Sequence, residues 1–267
     1  SGVSNIALRN LIIEDAYDPF PHHEKNDGFN AQHDCITIQG TTSNIWIDHC
    51  TFADTICTKF SDFAYPTLSD GSTTEMWQTY DGLCDMKGSA DYITVSYCKF
   101  MNHDKTMLLG SSDTDTSANT LGYRTLTLHH NYFLNCVQRL TMTRNTMLHA
   151  YNNYYDAGTS SSSTYTNDYC IGARNGARIV AENNYFGSGI KYSYSGNSDT
   201  KANAYVYYSG DTDSSSGKDT SGYTVYSSMP WTPTTYYTYT ADTAATVADS
   251  TSGVRANAGA GVWTVQQ

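Results

Sequence analysis

Six segments of the chain align without gaps: IALRNLII from Ile6, IWIDHCTF from Ile45, ITVSYCKF from Ile93, LTLHHNYF from Leu126, LHAYNNYY from Leu148 and IVAENNYF from Ile179. Repetition constrains a fold more than any single motif, because a copy this short buries its apolar side only against the next copy. The first and third positions are apolar in every copy, the alternation of a half-buried strand. The eighth is Ile, Phe, Phe, Phe, Tyr and Phe in turn. Position six reads Leu11, Cys50, Cys98, Asn131, Asn153 and Asn184. Asparagine tolerates the left-handed backbone of a sharp turn, and stacked asparagines hydrogen-bond to one another along a solenoid axis. The pattern predicts an all-β chain wound as a right-handed parallel β-helix.

Successive copies start 39, 48, 33, 22 and 31 residues apart, so the shortest coil takes 22 residues and longer ones carry loops inserted between strands. Those loops, rather than the strands, are expected to shape a binding groove. A helical reading fails for want of apolar spacings of three and four with caps at both ends. From Asp156 onward Ser, Thr, Gly and Tyr dominate, as in AGTSSSSTYTNDY, which reads as surface loops. The expectation is one domain over residues 1–267, with coils mainly in 1–190 and a loop-rich C-terminal wrap over 190–267.

With 26 acidic against 15 basic residues the net charge is −11, the wrong sign for nucleic acid or an anionic membrane. No apolar run is long enough to span a bilayer. Only 15% of residues are charged, and the richness in Ser, Thr, Asn, Gly and Tyr suggests a secreted, extracellular β protein. Seven dispersed cysteines read as buried thiols rather than a disulfide framework. No charged, apolar leader precedes SGVSNIALRN, so the chain reads as mature or trimmed.

Against this acidity, no Asp or Glu occurs from Thr116 through Tyr155, and that window holds Arg139 and Arg144. Guanidinium groups are preferred partners of carboxylates, so a carboxylate-bearing ligand would supply what the window lacks. The alternative is an arginine pair tying a loop to carbonyls. Asp34, Asp81 and Asp85 lie beside apolar strands that a solenoid stacks about 5 Å apart. They suit calcium, which takes six to eight oxygens, and equally suit ordinary strand edges. Asp81 and Asp85 share an ion only if Gly82 permits a bend. Lys105 follows a repeat strand near this cluster. His49, His149, Trp46 and Asp48 sit inside repeat copies and read as structural. No Ser-His-Asp order, P-loop or Rossmann fingerprint is present.

NIWIDHCTF, YDGLCDMKGSADYITVSYCKFMNHDKTMLLGSSD and RLTMTRNTMLHAYNNYY, in that order, closely resemble the pectate lyase family of the pectin lyase-like superfamily, over roughly residues 1–190. The resemblance implies cleavage of polygalacturonate by β-elimination, with Ca²⁺ bridging enzyme and substrate carboxylates. It places Asp34, Asp81 and Asp85 at the calcium site, Lys105 on the substrate, Arg139 as general base, Arg144 beside it, and Arg174 on uronate. Loss of the uronate C5 proton builds charge on its carboxylate, which Ca²⁺, Lys105 and the arginines would stabilise. An arginine base requires a strongly depressed pKa, so an alkaline pH optimum is expected.

Two positions depart from the family pattern: Thr141 stands where the motif has proline, and Gln32 where it has a further calcium acid. Relatives also carry upstream residues that cap the solenoid. A monomer is expected, paired at most with a separate N-terminal segment. The alternatives are a pectin lyase acting on methyl-esterified pectin without calcium, and a non-catalytic polysaccharide-binding β-helix. A polygalacturonase would need paired catalytic carboxylates beside a histidine, which the sequence does not offer.

Overall fold

The computed structural model describes residues 2–25, 28–56, 77–116, 121–158, 165–196 and 203–262. Three parallel sheets of eight, seven and six strands run along one axis, and the only antiparallel pairing among the described residues is a small ribbon, His22–Glu24 with Gly28–Asn30. One coil shows the plan. Arg124–His129 lies in the first sheet, Tyr132–Gln138 in the second and Thr141–Thr143 in the third, and the chain then re-enters the first sheet at Thr146–Tyr151. This is the parallel β-helix that the repeats predict.

The gapless alignment holds as register, since Ile6 pairs with Ile45, Ile45 with Ile93, Ile93 with Leu126, Leu126 with Leu148, and Leu148 with Ile179. Position-eight rings form an inner column: Phe52, Phe100, Phe133, Tyr155 and Phe186 stack at 4.9, 5.0, 4.9 and 4.7 Å between centroids, all fully buried. Each such contact adds about 0.5–1.5 kcal/mol beyond the area it buries.

The turn between the first and second sheets differs from expectation in one respect. The left-handed residue is at position five, not six: Asn10, His49, Tyr97, His130, Asn152 and Asn183 all have φ between 48° and 57°. Position six supplies the ladder. Asn131 Nδ2 donates to Asn153 Oδ1 at 3.0 Å, and Asn153 Nδ2 to Asn184 Oδ1 at 3.1 Å, all three side chains being fully buried. The expected merger of two jobs in one asparagine fails because the left-handed residue faces outward, whereas the ladder must face in.

The coils also continue further than residue 190. Val206 pairs with Ile179 and opens a seventh copy, with Gly210 left-handed at position five and Asp211 ending the ladder by accepting from the Asn184 N–H at 2.8 Å. Sequence patterning missed it because position eight is Asp213 rather than an aromatic. The last paired strand is Thr224–Val225. Beyond it the chain runs back across the first sheet: Trp231 Nε1 donates to the Arg178 carbonyl, Asp242 N to Asn152, and Gly261 N to Asn10. Among the described residues the six cysteines are free thiols, as expected; Cys57 lies outside them.

Candidate functional site

Six of the seven predicted site residues lie along the third sheet and the turns at its two ends; the seventh, Lys105, ends the second-sheet strand Lys99–Lys105. Ile36–Ile38 pairs with Cys84–Met86, which sets Asp34 beside Gly82 and Thr37 opposite Asp85. Asp34 Oδ1 accepts from the Gly82 N–H at 2.9 Å and Oδ2 from the Thr37 hydroxyl at 2.6 Å. Gly82 serves as space rather than as a bend. Its φ is not left-handed, but a Cβ there would lie 2.5 Å from an Asp85 oxygen and 2.9 Å from one of Asp34.

Lys87, which sequence reasoning overlooked, bridges the two acids, its Nζ 3.1 Å from Asp34 and 3.4 Å from Asp85. Its signal was available: it stands two residues beyond Asp85, hence on the same side of the strand. Asp81 belongs instead to Lys105, whose buried Nζ is 2.9 Å from its carboxylate and donates to Asn30 Oδ1 at 2.8 Å. Burial first, and then the nearby Asp34 charge, push Asp85 up to about 7, with Lys87 opposing. Such a carboxylate sits in an excess of negative charge, and the donor set of hard oxygens fits a hard divalent cation. Among the described residues, no three His, Cys, Asp or Glu side chains are gathered as a ready-made metal cluster. Gln32 is exposed on the same coil as Asp34.

The arginines bracket one strand. Arg139, left-handed at φ 55°, occupies the turn before Thr141–Thr143, and Arg144 the turn after it, so they belong to two turns rather than to one loop. Arg144 is not left without an acid, as its sequence window suggested: Asp113, just upstream of that window, lies 3.3 Å from its Nε. Its Nη1 donates to the Gly110 carbonyl at 3.1 Å. Burial lowers the Arg144 pKa, and Arg139 and Arg174 lower it further against the pull of Asp113. Arg174, on the next coil, is buried, donates to the Ser195 carbonyl at 2.8 Å, and lies 5.0 Å over the Tyr169 ring.

Tyr169 is a second residue that sequence reading missed. It is buried beside both Arg139 and Arg174, its hydroxyl bonded to Arg139, and burial holds its pKa above the ordinary value despite those cations. The family proline position, Thr141, is buried in the strand and its hydroxyl makes no hydrogen bond.

His49 and His149 lie on the first sheet, where His49 stacks on Tyr97 and His149 binds Glu182 and Tyr237. Their structural reading fits that placement.

The chain as a whole is similar to known proteins. The pectate lyase family profile matches residues 1–262. A pectate lyase of Bacillus subtilis (strain 168) is 42% identical over 184 residues, 67% of this chain and 41% of that protein. Pectate lyase E of Dickeya chrysanthemi is 40% identical over 185 residues, 69% of this chain and 46% of its own. The matches thus span less than half of these relatives' length. A solved pectate lyase described as bound to a hexasaccharide superposes with a TM-score of 0.73 at 34% identity, covering 98% of this chain and 63% of that one. By profile, sequence and fold together, the chain belongs to the pectate lyase family.

Proposed function

We propose that the chain carries the catalytic groove of a calcium-assisted lyase that cleaves polygalacturonate by β-elimination and releases 4,5-unsaturated oligogalacturonides. The observation that carries this reading is the division of charge along the third sheet and the adjoining end of the second: oxygen donors at Asp34, Asp81 and Asp85, then cations at Lys105, Arg144 and Arg174 around Arg139. A uronate polymer presents one carboxylate per sugar, and such a strip offers it a cation at successive positions. The hexasaccharide in the solved relative supports a groove of this kind.

Asp34, Asp81 and Asp85 would hold Ca²⁺, which when bound supplies positive charge to the uronate carboxylate. Lys105 and Arg144 orient that carboxylate. Arg139, acting as the neutral guanidine, takes the C5 proton, the C5–H electron pair forms the C4–C5 double bond, and the bond to the glycosidic O4 breaks, O4 taking a proton from solvent and Arg139 later releasing its own there. The protein is proposed to act outside the cell, on composition alone.

The test is incubation with polygalacturonate and calcium, following the ultraviolet absorbance of the unsaturated product. Hydrolysis gives no such signal. Activity that ignores a chelator and prefers methyl-esterified pectin would overturn the calcium and substrate assignments, and a rate profile peaking below neutrality would overturn Arg139 as base.

A further inference from the structure

His103 is fully buried on the strand Lys99–Lys105 and accounts for both of its ring nitrogens. Nδ1 lies 2.6 Å from Asp54 Oδ2 and Nε2 lies 2.7 Å from the carbonyl oxygen of Asp81. A carbonyl only accepts, so Nε2 carries a proton and points it at the Asp81–Gly82 peptide. The other edge of that same peptide, the Gly82 N–H, donates to Asp34 Oδ1 at 2.9 Å. One peptide plane is therefore gripped from both sides, by His103 at its oxygen and by Asp34 at its nitrogen. The Asp81 side chain that leaves this peptide is met by Lys105, two residues along from His103.

The backbone explains how one strand does both. Asn102 is left-handed at φ 58°, and its side chain accepts from Asn135, also left-handed, on the neighbouring coil. That kink breaks the simple alternation, so Phe100 and His103, three apart, are both buried. Restored alternation then sends Lys105 to the side of His103.

We propose that His103, anchored by Asp54, is a positioning residue for the cation site: it fixes the Asp81–Gly82 peptide and through it the relative placement of Asp81 and Asp34. This rests on the calcium reading above. A donor at Nε2, not imidazole as such, is what the role requires.

Two substitutions separate that role from mere packing. In His103→Gln the side-chain amide reaches the Nε2 position and still donates to the Asp81 carbonyl. In His103→Asn it reaches only the Nδ1 position, towards Asp54. Thermal melts and calorimetric titration with CaCl₂, without substrate, are measured for both. Both variants should melt lower than the parent chain. His103→Gln should keep its calcium dissociation constant within about threefold, whereas His103→Asn should weaken it by about tenfold or more, as expected when a group that orients a metal ligand is lost. Equal weakening in the two variants, or an unchanged constant in His103→Asn, overturns the proposal. If His103→Asn does not fold, His103→Leu, which fills the site without any donor, takes its place, and an unchanged constant there has the same force. A parent chain that binds no calcium overturns this inference. One that binds calcium and forms no unsaturated product overturns the proposed function and leaves this inference standing.

Discussion

The two long edges of this solenoid solve opposite problems. At the corner between the first and second sheets the five coils that start at Ile45, Ile93, Leu126, Leu148 and Ile179 repeat the same answer. A left-handed residue turns the chain, a buried side chain joins the ladder, and an aromatic ring stacks beneath it. Among the asparagines the ladder leaves nothing over, since Asn153 donates to both the Leu128 carbonyl and Asn184 while accepting from Asn131. Along the third sheet the coils differ in charge: Asp34 and Asp85 stand on its first two and Arg144 and Arg174 on its fourth and fifth, with burial and like charge raising Asp85 and lowering Arg144. Uniformity at one edge supplies the rigidity on which unlike charges can be held at the other.

The sharpest way to break this contrast is to remove one group from each edge. Arg139→Ala should lower kcat by about 100- to 1,000-fold, the scale of losing one preorganised electrostatic group, while urea unfolding stays within about 1 kcal/mol of the parent chain. Asn153→Ala should do the reverse. It takes away the acceptor of the Asn131 backbone N–H and the side-chain donor to the Leu128 carbonyl, both buried, and at about 1–3 kcal/mol for each unsatisfied group should cost roughly 2–4 kcal/mol in the same unfolding measurement. Its kcat per folded molecule should stay within twofold or so of the parent. Similar losses of both stability and rate in both variants would erase the division of labour.

How much of this was legible in the sequence follows the same division. The ladder corner could be read because its signal recurs: three asparagines, a column of aromatics and two apolar positions appear in copy after copy. The left-handed position five escaped because Asn10, His49, Tyr97 and His130 share a backbone angle and little chemistry. The cleft edge has no recurrence to read. Asp34, Asp81, Asp85, Lys105, Arg139, Arg144 and Arg174 were picked out largely by resemblance to a family, Lys87 was legible only through its spacing from Asp85, and Tyr169 and Asp113 emerge only from contacts between coils. The acid-free window misled for that reason, since its arginines find their acids outside it, Arg124 at Asp115 and Arg144 at Asp113.

Titration gives a finer comparison, because the ladder itself ends in a charge. Burial pushes Asp211 up to about 6, although Tyr194 and Asn184 donate to it. A carboxyl with a raised folded pKa contributes stability that is full below its unfolded pKa near 3.8 and is lost as pH rises through about 6. On the first sheet, burial and the neighbouring His130 lower His129 to about 3, and the sign reverses. Its contribution is full above the ordinary histidine value of 6.5 and is lost as pH falls through about 3. Asp211→Asn, which keeps an acceptor for the Asn184 amide, should therefore match the parent near pH 3.5 and exceed it by about 1–2 kcal/mol at pH 7. Denaturant titrations across that range check it. A variant less stable than the parent at pH 7 would mean that the ionised carboxylate is favourable where it sits.

The smallest expected effect concerns the residue that stands where the family has proline. Thr141 lies inside the strand that separates Arg139 from Arg144, and its buried hydroxyl has no partner. A neighbouring strand holds it in place, since Thr141 pairs with Ile171. The strand therefore already fixes the span between the two arginines, and the hydroxyl adds a desolvation cost without a compensating bond. Thr141→Val keeps the shape and β-branching while deleting that polar atom. It should raise the unfolding free energy by about 1 kcal/mol and leave kcat and KM on polygalacturonate within about twofold. A fall in kcat at unchanged or higher stability would show that the hydroxyl acts in the cleft, alongside the two arginines that its strand separates.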